Sequence, residues 1–238
     1  MLNQRTIAKK VSVTGIGIHS GKKVNMVLHP AEADSGIKFK RTDIPGASVL
    51  DATATTVGAT ENNTTIGSGQ NAVHTVEHLL SVLYGLGINN CFIEIDGPEV
   101  PTMDGSGASF VFVLKETGIQ TLNKSKKFLV VLKPVEVKVG EKWARIEPAE
   151  KLIIDSTIVF AHPLIKTQKK TFEFSCENYI REIGFALAYQ RFLWKGLYAG
   201  VHVMSAWQSF INEEEKKIGE KGFMKIQVSV SKFYQITP

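Results

Sequence analysis

The sequence predicts an α+β fold built as a two-domain sandwich, in which each domain is a sheet with helices packed on one face. Strand-like segments precede helix-like segments in both halves of the chain, and a polar stretch separates the halves. A chain of 238 residues, 43% of them hydrophobic, is long enough to bury the cores of two domains. We expect the second domain to be incomplete, because its regular pattern stops near residue 185.

The first domain is placed at residues 1–122. Alternating apolar residues predict strands over 11–19 and 36–40, and short apolar runs predict strands over 24–28 and 91–95. The polar stretch 59–70 is predicted to be a loop.

Two helices are predicted in this domain. Thr75 is a suitable N-cap for the first, because Glu77 then lies in the first turn, where the helix dipole favours a negative charge. Gly85 and Gly87 mark the end of that helix. The second helix is expected over residues 108–117, and the place of Asp104 just before it favours a capping role for this carboxylate.

The second domain is placed at residues 128–238, after the polar segment 123–127 that we take as the boundary. A helix is expected after Ser175, and it carries Tyr179, Ile180, Ile183 and Phe185. Apolar runs and alternation predict the strands 128–132, 135–139, 143–146, 152–160, 171–174 and, as an edge strand, 224–230.

Composition limits the classes of function. The net charge of +5 and the pI near 9.1 favour anionic partners, but the basic residues form no dense stripe of the kind that binds nucleic acid. An RNA-binding module is therefore a weak alternative, and we expect no nucleic-acid partner. Two cysteines suit a reducing compartment, and no apolar run reaches about 18 residues. We find no secretory signal and no transmembrane segment, so the expected location is cytoplasmic.

Glu77 and His78 are adjacent where the first helix begins. A neutral histidine is a good zinc ligand, and a carboxylate beside a zinc-bound water is placed to take its proton. The pair therefore points to one half of a zinc-hydrolase site. The alternative reading is a helix-start pair that serves only the helix dipole and solvation.

The remaining sequence does not complete such a site. No later segment offers a spaced pair of histidine and aspartate, and residues 187–238 contain one histidine, His202, and no aspartate. The contiguous glutamates Glu213, Glu214 and Glu215 could be imagined as substitute ligands, but such a run is usually a solvated face.

Several motifs in a fixed order carry a family resemblance. They are Gly15-Ile16-Gly17-Ile18-His19-Ser20-Gly21-Lys22-Lys23-Val24, Thr75-Val76-Glu77-His78-Leu79, Pro101-Thr102-Met103-Asp104-Gly105-Ser106 and Phe160-Ala161-His162-Pro163. Together they resemble the UDP-3-O-acyl-N-acetylglucosamine deacetylases, zinc enzymes that commit bacteria to lipid A synthesis. The resemblance covers about residues 4–183.

The resemblance implies two α+β domains with the active site in the cleft between them, and zinc as cofactor. His78 would be a zinc ligand, and Glu77 the general base on the metal-bound water. Water attacks the acetamide carbonyl at the 2-position of a UDP-linked acylated glucosamine, which releases acetate and a free amine. His19, Asn63 and Thr64 would lie near the substrate.

The other histidines have simpler interpretations. His19 itself could be a polar residue at a strand-to-turn corner, and His74 is expected at the surface. His29 and His162 each precede a proline, which restricts the backbone and favours a structural role at a strand end.

The chain departs from the family after Ala186. The family has an Arg-Thr-Phe-Gly-Phe run whose threonine holds the oxyanion, and here Ala188 stands at the threonine position. The family's later helix with the other two zinc ligands is not found either. We hypothesise a frameshift or truncated reading frame, which translation of the other frames would test. The chain is thus read as a deacetylase that is impaired or inactive, or alternatively as a non-catalytic remnant that retains nucleotide-sugar binding.

Overall fold

The computed structural model of this protein describes residues 2–60, 63–128, 130–140, 142–159, 167–184 and 223–231. The described residues divide into two units. The first lies within residues 2–127 and 179–184, and the second within 128–178 and 223–231. Helices and several sheets are both present, which confirms the predicted α+β class.

The first unit contains two sheets. A five-stranded sheet has the order β2-β3-β6-β4-β5, in which only the β4–β6 pair is parallel. A separate antiparallel pair joins β1 and β7. The strands are β1 (Asn3–Ile7), β2 (Val11–Ile16), β3 (Lys23–Pro30), β4 (Ile37–Arg41), β5 (Leu50–Asp51), β6 (Cys91–Ile95) and β7 (Ile119–Ser125).

Alternation of apolar residues sets which face of the large sheet is buried. Val24, Met26 and Leu28 of β3 are fully buried or nearly so, while the residues between them are more exposed. Ile93 and Ile95 of the neighbouring β6 are buried at the same face spacing. The period of two in the sequence therefore becomes one apolar face.

Two α-helices follow the predicted pattern, α1 (Glu77–Gly85) and α2 (Ala108–Thr117). Leu79, Val82 and Leu83 of α1 are buried, at the spacing of one helical face. Gly118 ends α2 with a φ of 85°, a conformation that favours glycine.

The chain returns to the first unit after residue 178. A helical turn α3 (Cys176–Asn178) leads into a π-helical segment, Tyr179–Gly184. Tyr179 is fully buried, and its hydroxyl lies 2.9 Å from the hydroxyl of Ser81 on α1. The predicted helical segment after Ser175 is thus present, with Tyr179 and Ile183 buried and Ile180 only partly buried, and Phe185 lies outside the described residues.

The second unit has one five-stranded sheet of order β11-β10-β12-β9-β8. Ile146, Ile154 and Phe172 are the apolar residues that it buries most completely. Its strands are β8 (Val135–Val139), β9 (Lys142–Ala149), β10 (Ile153–Val159), β11 (Thr167–Glu173) and β12 (Phe223–Ser231).

Two predictions about strands are wrong. The strand over 224–230 is not at an edge, because β12 pairs in parallel with β10 and antiparallel with β9. Residues 128 and 130–132 are not a strand, although their sequence is apolar, and the Leu132 side chain is 66% exposed. The polar boundary segment 123–127 overlaps the end of β7, because backbone pairing with β1 overrides its polar composition.

Several predicted features lie outside the described residues. These are His162, Ala188, His202 and the glutamates 213–215. Within the part of the chain that the structure describes, no helix combines the length and the apolar character that crossing a membrane requires.

Gly85→Ala tests the contact between α1 and the returning segment. A Cβ at residue 85 would overlap the ring of Tyr179, so we expect a loss of about 1–3 kcal/mol in the free energy of unfolding, although alanine favours a helix. Urea unfolding of the purified chain measures this loss. In a Tyr179→Leu background the same substitution should cost much less, and an equal cost in both backgrounds would contradict the explanation.

Candidate functional site

Glu77 and His78 occupy the first turn of α1 and are both half-buried. The N-cap of this helix is Val76, so the prediction that Thr75 caps it is wrong. Thr75 has a φ of 58° and donates its hydroxyl to Glu99 Oε1 over 2.9 Å. The threonine hydroxyl is therefore engaged outside the helix, and the chain turns sharply just before the Glu-His pair.

The segment Asn63–Thr64 lies directly beside this turn. The Thr64 N–H donates to Glu77 Oε2 over 2.9 Å, and the Thr64 carbonyl accepts the Val76 N–H over 3.2 Å. These two hydrogen bonds hold the loop against the start of α1. The structure therefore brings three of the predicted site residues, Thr64, Glu77 and His78, into one place, with Asn63 next to them.

His74 is half-buried, so the prediction of a surface residue is wrong. Its Nδ1 lies 2.9 Å from the Thr65 hydroxyl, which also donates to Asn63 Oδ1 over 3.1 Å. A hydroxyl has one proton, so if Asn63 accepts it, His74 carries its proton on Nδ1. The side chains of Asn63, Thr65 and His74 thus form one chain of hydrogen bonds beside Glu77.

Burial keeps the His78 imidazole in its neutral form. Loss of solvation lowers its pKa from the ordinary value of 6.5, and the negative charge of Asp104 opposes that shift. The neutral imidazole is the form that can bind a metal ion, because a ligand nitrogen must be deprotonated.

The N-cap of α2 is Gly107, so the prediction that Asp104 caps this helix is wrong, and the carboxylate instead binds hydroxyl and amide groups of the turn before α2 and of its first turn. It accepts the Ser106 hydroxyl over 2.7 Å, the Ser109 hydroxyl over 3.0 Å and the Ser106 N–H over 3.3 Å. Partial burial acts to raise the pKa of Asp104, but these hydrogen bonds outweigh it and hold the pKa below its ordinary value of 3.8. The carboxylate is therefore ionised at neutral pH, close enough to His78 to influence it.

His19 lies in the loop after β2, with its side chain exposed. Its backbone N–H donates to both oxygens of Glu99, over 3.0 and 3.2 Å, and the Ser20 N–H donates to Glu99 Oε2 over 2.8 Å. The carboxylate that receives them is only 1% exposed. Glu99 was not among the residues that the sequence singled out, and its place beside the Pro-Thr-Met-Asp motif was the available signal.

Gly17 makes room for this carboxylate. A Cβ at residue 17 would overlap the Glu99 carboxylate and the Ser20 hydroxyl. The Gly17 N–H donates to the Lys22 carbonyl over 3.0 Å, which closes the loop around the buried oxygens. The Gly-Ile-Gly-Ile-His motif therefore has a steric reason for its second glycine.

A catalytic zinc ion takes three protein ligands and a water. Across the described ranges, from residue 2 to residue 231 with their gaps, no three side chains of histidine, cysteine, aspartate or glutamate are grouped so as to hold a metal. The tail 187–238 offers one histidine and no aspartate. Within this described part of the chain the side chains do not make up a complete catalytic zinc site, although His78 suits one ligand position.

A carboxylate beside a neutral imidazole at a helix start supplies a base and one metal ligand, which are two of the groups that a metal-assisted hydrolase needs. The family model of UDP-3-O-acyl N-acetylglycosamine deacetylase matches residues 4–194. The chain belongs to this family, which confirms the resemblance in its motifs.

Three relatives illustrate the similarity, each bearing the name UDP-3-O-acyl-N-acetylglucosamine deacetylase. The protein of Citrifermentans bemidjiense is 45% identical over 186 residues, which are 78% of this chain and 61% of the relative. Those of Methylococcus capsulatus and Acidithiobacillus ferrooxidans are 42% and 43% identical over 188 residues, 78% of this chain and 62% of each relative. The matched region thus spans about three fifths of the length of these relatives.

Glu99→Gln tests the ionisation of the buried carboxylate. Burial acts to raise the pKa of Glu99, but the hydrogen bonds from His19, Ser20 and Thr75 outweigh it and lower the pKa below 4.5. An unfolded chain then binds a proton more readily than the folded one, so stability is fully present above pH 4.5 and is lost as pH falls through the folded pKa.

Unfolding by urea at a series of pH values from 7 to 3 measures this effect. The stability advantage of the wild type over Glu99→Gln should be constant near neutrality and shrink in acid. An advantage that stays the same down to pH 3 would contradict a lowered pKa.

Proposed function

We propose that this chain is a zinc-dependent deacetylase of lipid A biosynthesis by descent, that it takes UDP-3-O-acyl-N-acetylglucosamine as substrate in the cytoplasm, and that its activity is impaired. The observation that carries the proposal is the Glu77–His78 pair, with Thr64 bonded to the carboxylate, in a chain 45% identical to a named deacetylase. Residues Glu77, His78, His19, Asn63 and Thr64 are proposed as the site residues.

The proposed reaction is the hydrolysis of an amide. Glu77 accepts a proton from the attacking water, the new carbon–oxygen bond forms at the acetamide carbonyl, and the carbon–nitrogen bond then breaks. The proton passes to the leaving nitrogen, so that acetate and an amine are the products. A carboxylate held by the Thr64 N–H keeps one orientation, which a general base needs.

Impairment is proposed because one imidazole does not chelate a metal. The family's cofactor is zinc, which would polarise the acetamide carbonyl and make the attacking water more acidic. His78 is the one described residue that we assign to zinc binding. Ala188 in place of the family's threonine removes a hydroxyl as well. Both features argue for weak zinc affinity and slow turnover.

The second candidate is a non-catalytic remnant that still binds a nucleotide sugar. It is favoured by the end of the family match at residue 194, while the hydrogen-bonded residues 63–65, 74–77 and 99 remain. Binding without turnover is the property that separates this candidate from the first.

Acetate release separates the two candidates. We expect the chain with added zinc to be far slower than the Citrifermentans bemidjiense relative, and Glu77→Gln to bring its remaining rate to background, because a general base contributes roughly a hundredfold or more. Glu116→Ala, at an exposed position of α2, is the control and should change nothing. A rate equal to that of the relative would contradict the proposed impairment. If the chain shows no substrate binding and no turnover, both candidates are contradicted.

Metal content is an independent measurement. After dialysis against buffer without metal, the chain is expected to retain much less than one zinc per polypeptide by atomic emission. His78→Ala should remove even the weak zinc uptake that remains. One tightly held zinc per chain would show that further ligands exist and would overturn the proposed deficit.

A further inference from the structure

Glu99 is a buried carboxylate whose hydrogen bonds come from two separate segments of the first unit. The backbone N–H groups of His19 and Ser20 belong to the loop after β2, and the hydroxyl of Thr75 belongs to the segment that leads into α1. All of these donors are neutral N–H or O–H groups. A buried charge is costly unless hydrogen bonds replace its water, so the two segments and the carboxylate depend on one another.

The backbone around Glu99 is held as firmly as its side chain. The His74 N–H donates to the Pro98 carbonyl over 2.8 Å, and the Val100 N–H donates to the His74 carbonyl over 3.0 Å. A third bond, from the Thr102 N–H to the Ile16 carbonyl over 3.0 Å, joins the same stretch to the His19 loop. The side chain therefore starts from a fixed place.

Thr75 has a left-handed backbone, with a φ of 58°. This conformation is unusual for a residue with a branched Cβ, and it persists only where the surroundings impose it. The hydrogen bond from its hydroxyl to Glu99 is one such restraint. Because Glu77 and His78 follow within three residues, the direction in which α1 starts depends on the Thr75 conformation.

We propose that Glu99 is a positioning residue, which fixes the His19 loop relative to the Glu77–His78 pair and thereby shapes the substrate site. The inference rests on the proposed function for its substrate. It goes further because it assigns a role to a residue that does not act on the substrate itself. If Glu99 fixes the two segments in this way, a substitution at Glu99 also disturbs Thr64. The Thr64 N–H donates to Glu77 rather than to Glu99, so the effect has to pass through the start of α1.

The first measurement is amide hydrogen exchange by NMR on the full chain. In Glu99→Ala the amides of His19 and Ser20 should exchange roughly tenfold to a hundredfold faster, the range expected for losing a charged acceptor. The Thr64 amide should also exchange several times faster, and by a larger factor than the buried Ile93 amide in β6, whose rate follows the global stability of the chain. A merely local role would leave Thr64 unchanged.

Two milder variants keep the test decisive if Glu99→Ala does not fold. Thr75→Val removes the hydroxyl but keeps the branched shape, whereas Thr75→Ser keeps the hydroxyl. We expect faster Thr64 exchange in the first and wild-type exchange in the second. Glu94→Gln, which alters a half-buried carboxylate paired with His29, is the matched control and should behave as wild type.

The second measurement is the Kd for UDP-3-O-acyl-N-acetylglucosamine by titration calorimetry, well below the melting temperature. Glu99→Gln and Thr75→Val should each weaken binding several-fold without a matching loss of folded protein, and Thr75→Ser should restore it. The proposal is overturned if Glu99→Gln and Thr75→Val both bind the substrate with the Kd of the wild type. It is also overturned if the Thr64 amide exchanges at the wild-type rate in the Glu99→Ala and Thr75→Val variants. If the wild-type chain binds no substrate, the proposed function is contradicted instead. The exchange rate of the Thr64 amide in the variants then still tests the positioning role of Glu99.

Discussion

The hydrogen bonds to the buried Glu99 carboxylate are the constraint on which the arrangement of the site depends. They explain three features that look unrelated in the sequence: the second glycine of the Gly-Ile-Gly-Ile-His motif, the left-handed threonine before the Glu-His pair, and the fixed course of the chain after β6. Each would be costly by itself. Together they satisfy one charge that has little access to water.

The local elements could be predicted because their signals are local. The period of two over β3 and the apolar spacing of α1 appear in the sequence and reappear as buried faces. The position of Asp104 correctly placed it near the start of α2, but not as the cap, because the N-cap is Gly107 and Asp104 binds the hydroxyls of Ser106 and Ser109. The pair Glu77 and His78 was recognisable through the ordered motifs around it, because an acidic residue in the first turn of a helix is ordinary by itself.

Long-range pairing could not be predicted from such patterns. β7 has a polar sequence, and it becomes a strand only because β1, more than a hundred residues earlier, is its partner. β12 alternates as an edge strand would, yet it has neighbours on both sides. Glu99 was missed for the same reason, since its three donors come from positions 19, 20 and 75, and no spacing rule links them.

The return of Tyr179–Gly184 to the first unit has a consequence for biosynthesis. The ring that fills the space over Gly85 is made more than ninety residues after that glycine, so a chain emerging from the ribosome has to wait for it. Until then the surface of α1 that Tyr179 covers is exposed to solvent, and the core of the first unit lacks one of its large side chains. A fragment that stops at residue 127 would leave this surface exposed permanently. We therefore expect such a fragment to be less stable than the first unit of the full chain, although it contains all strands of both sheets.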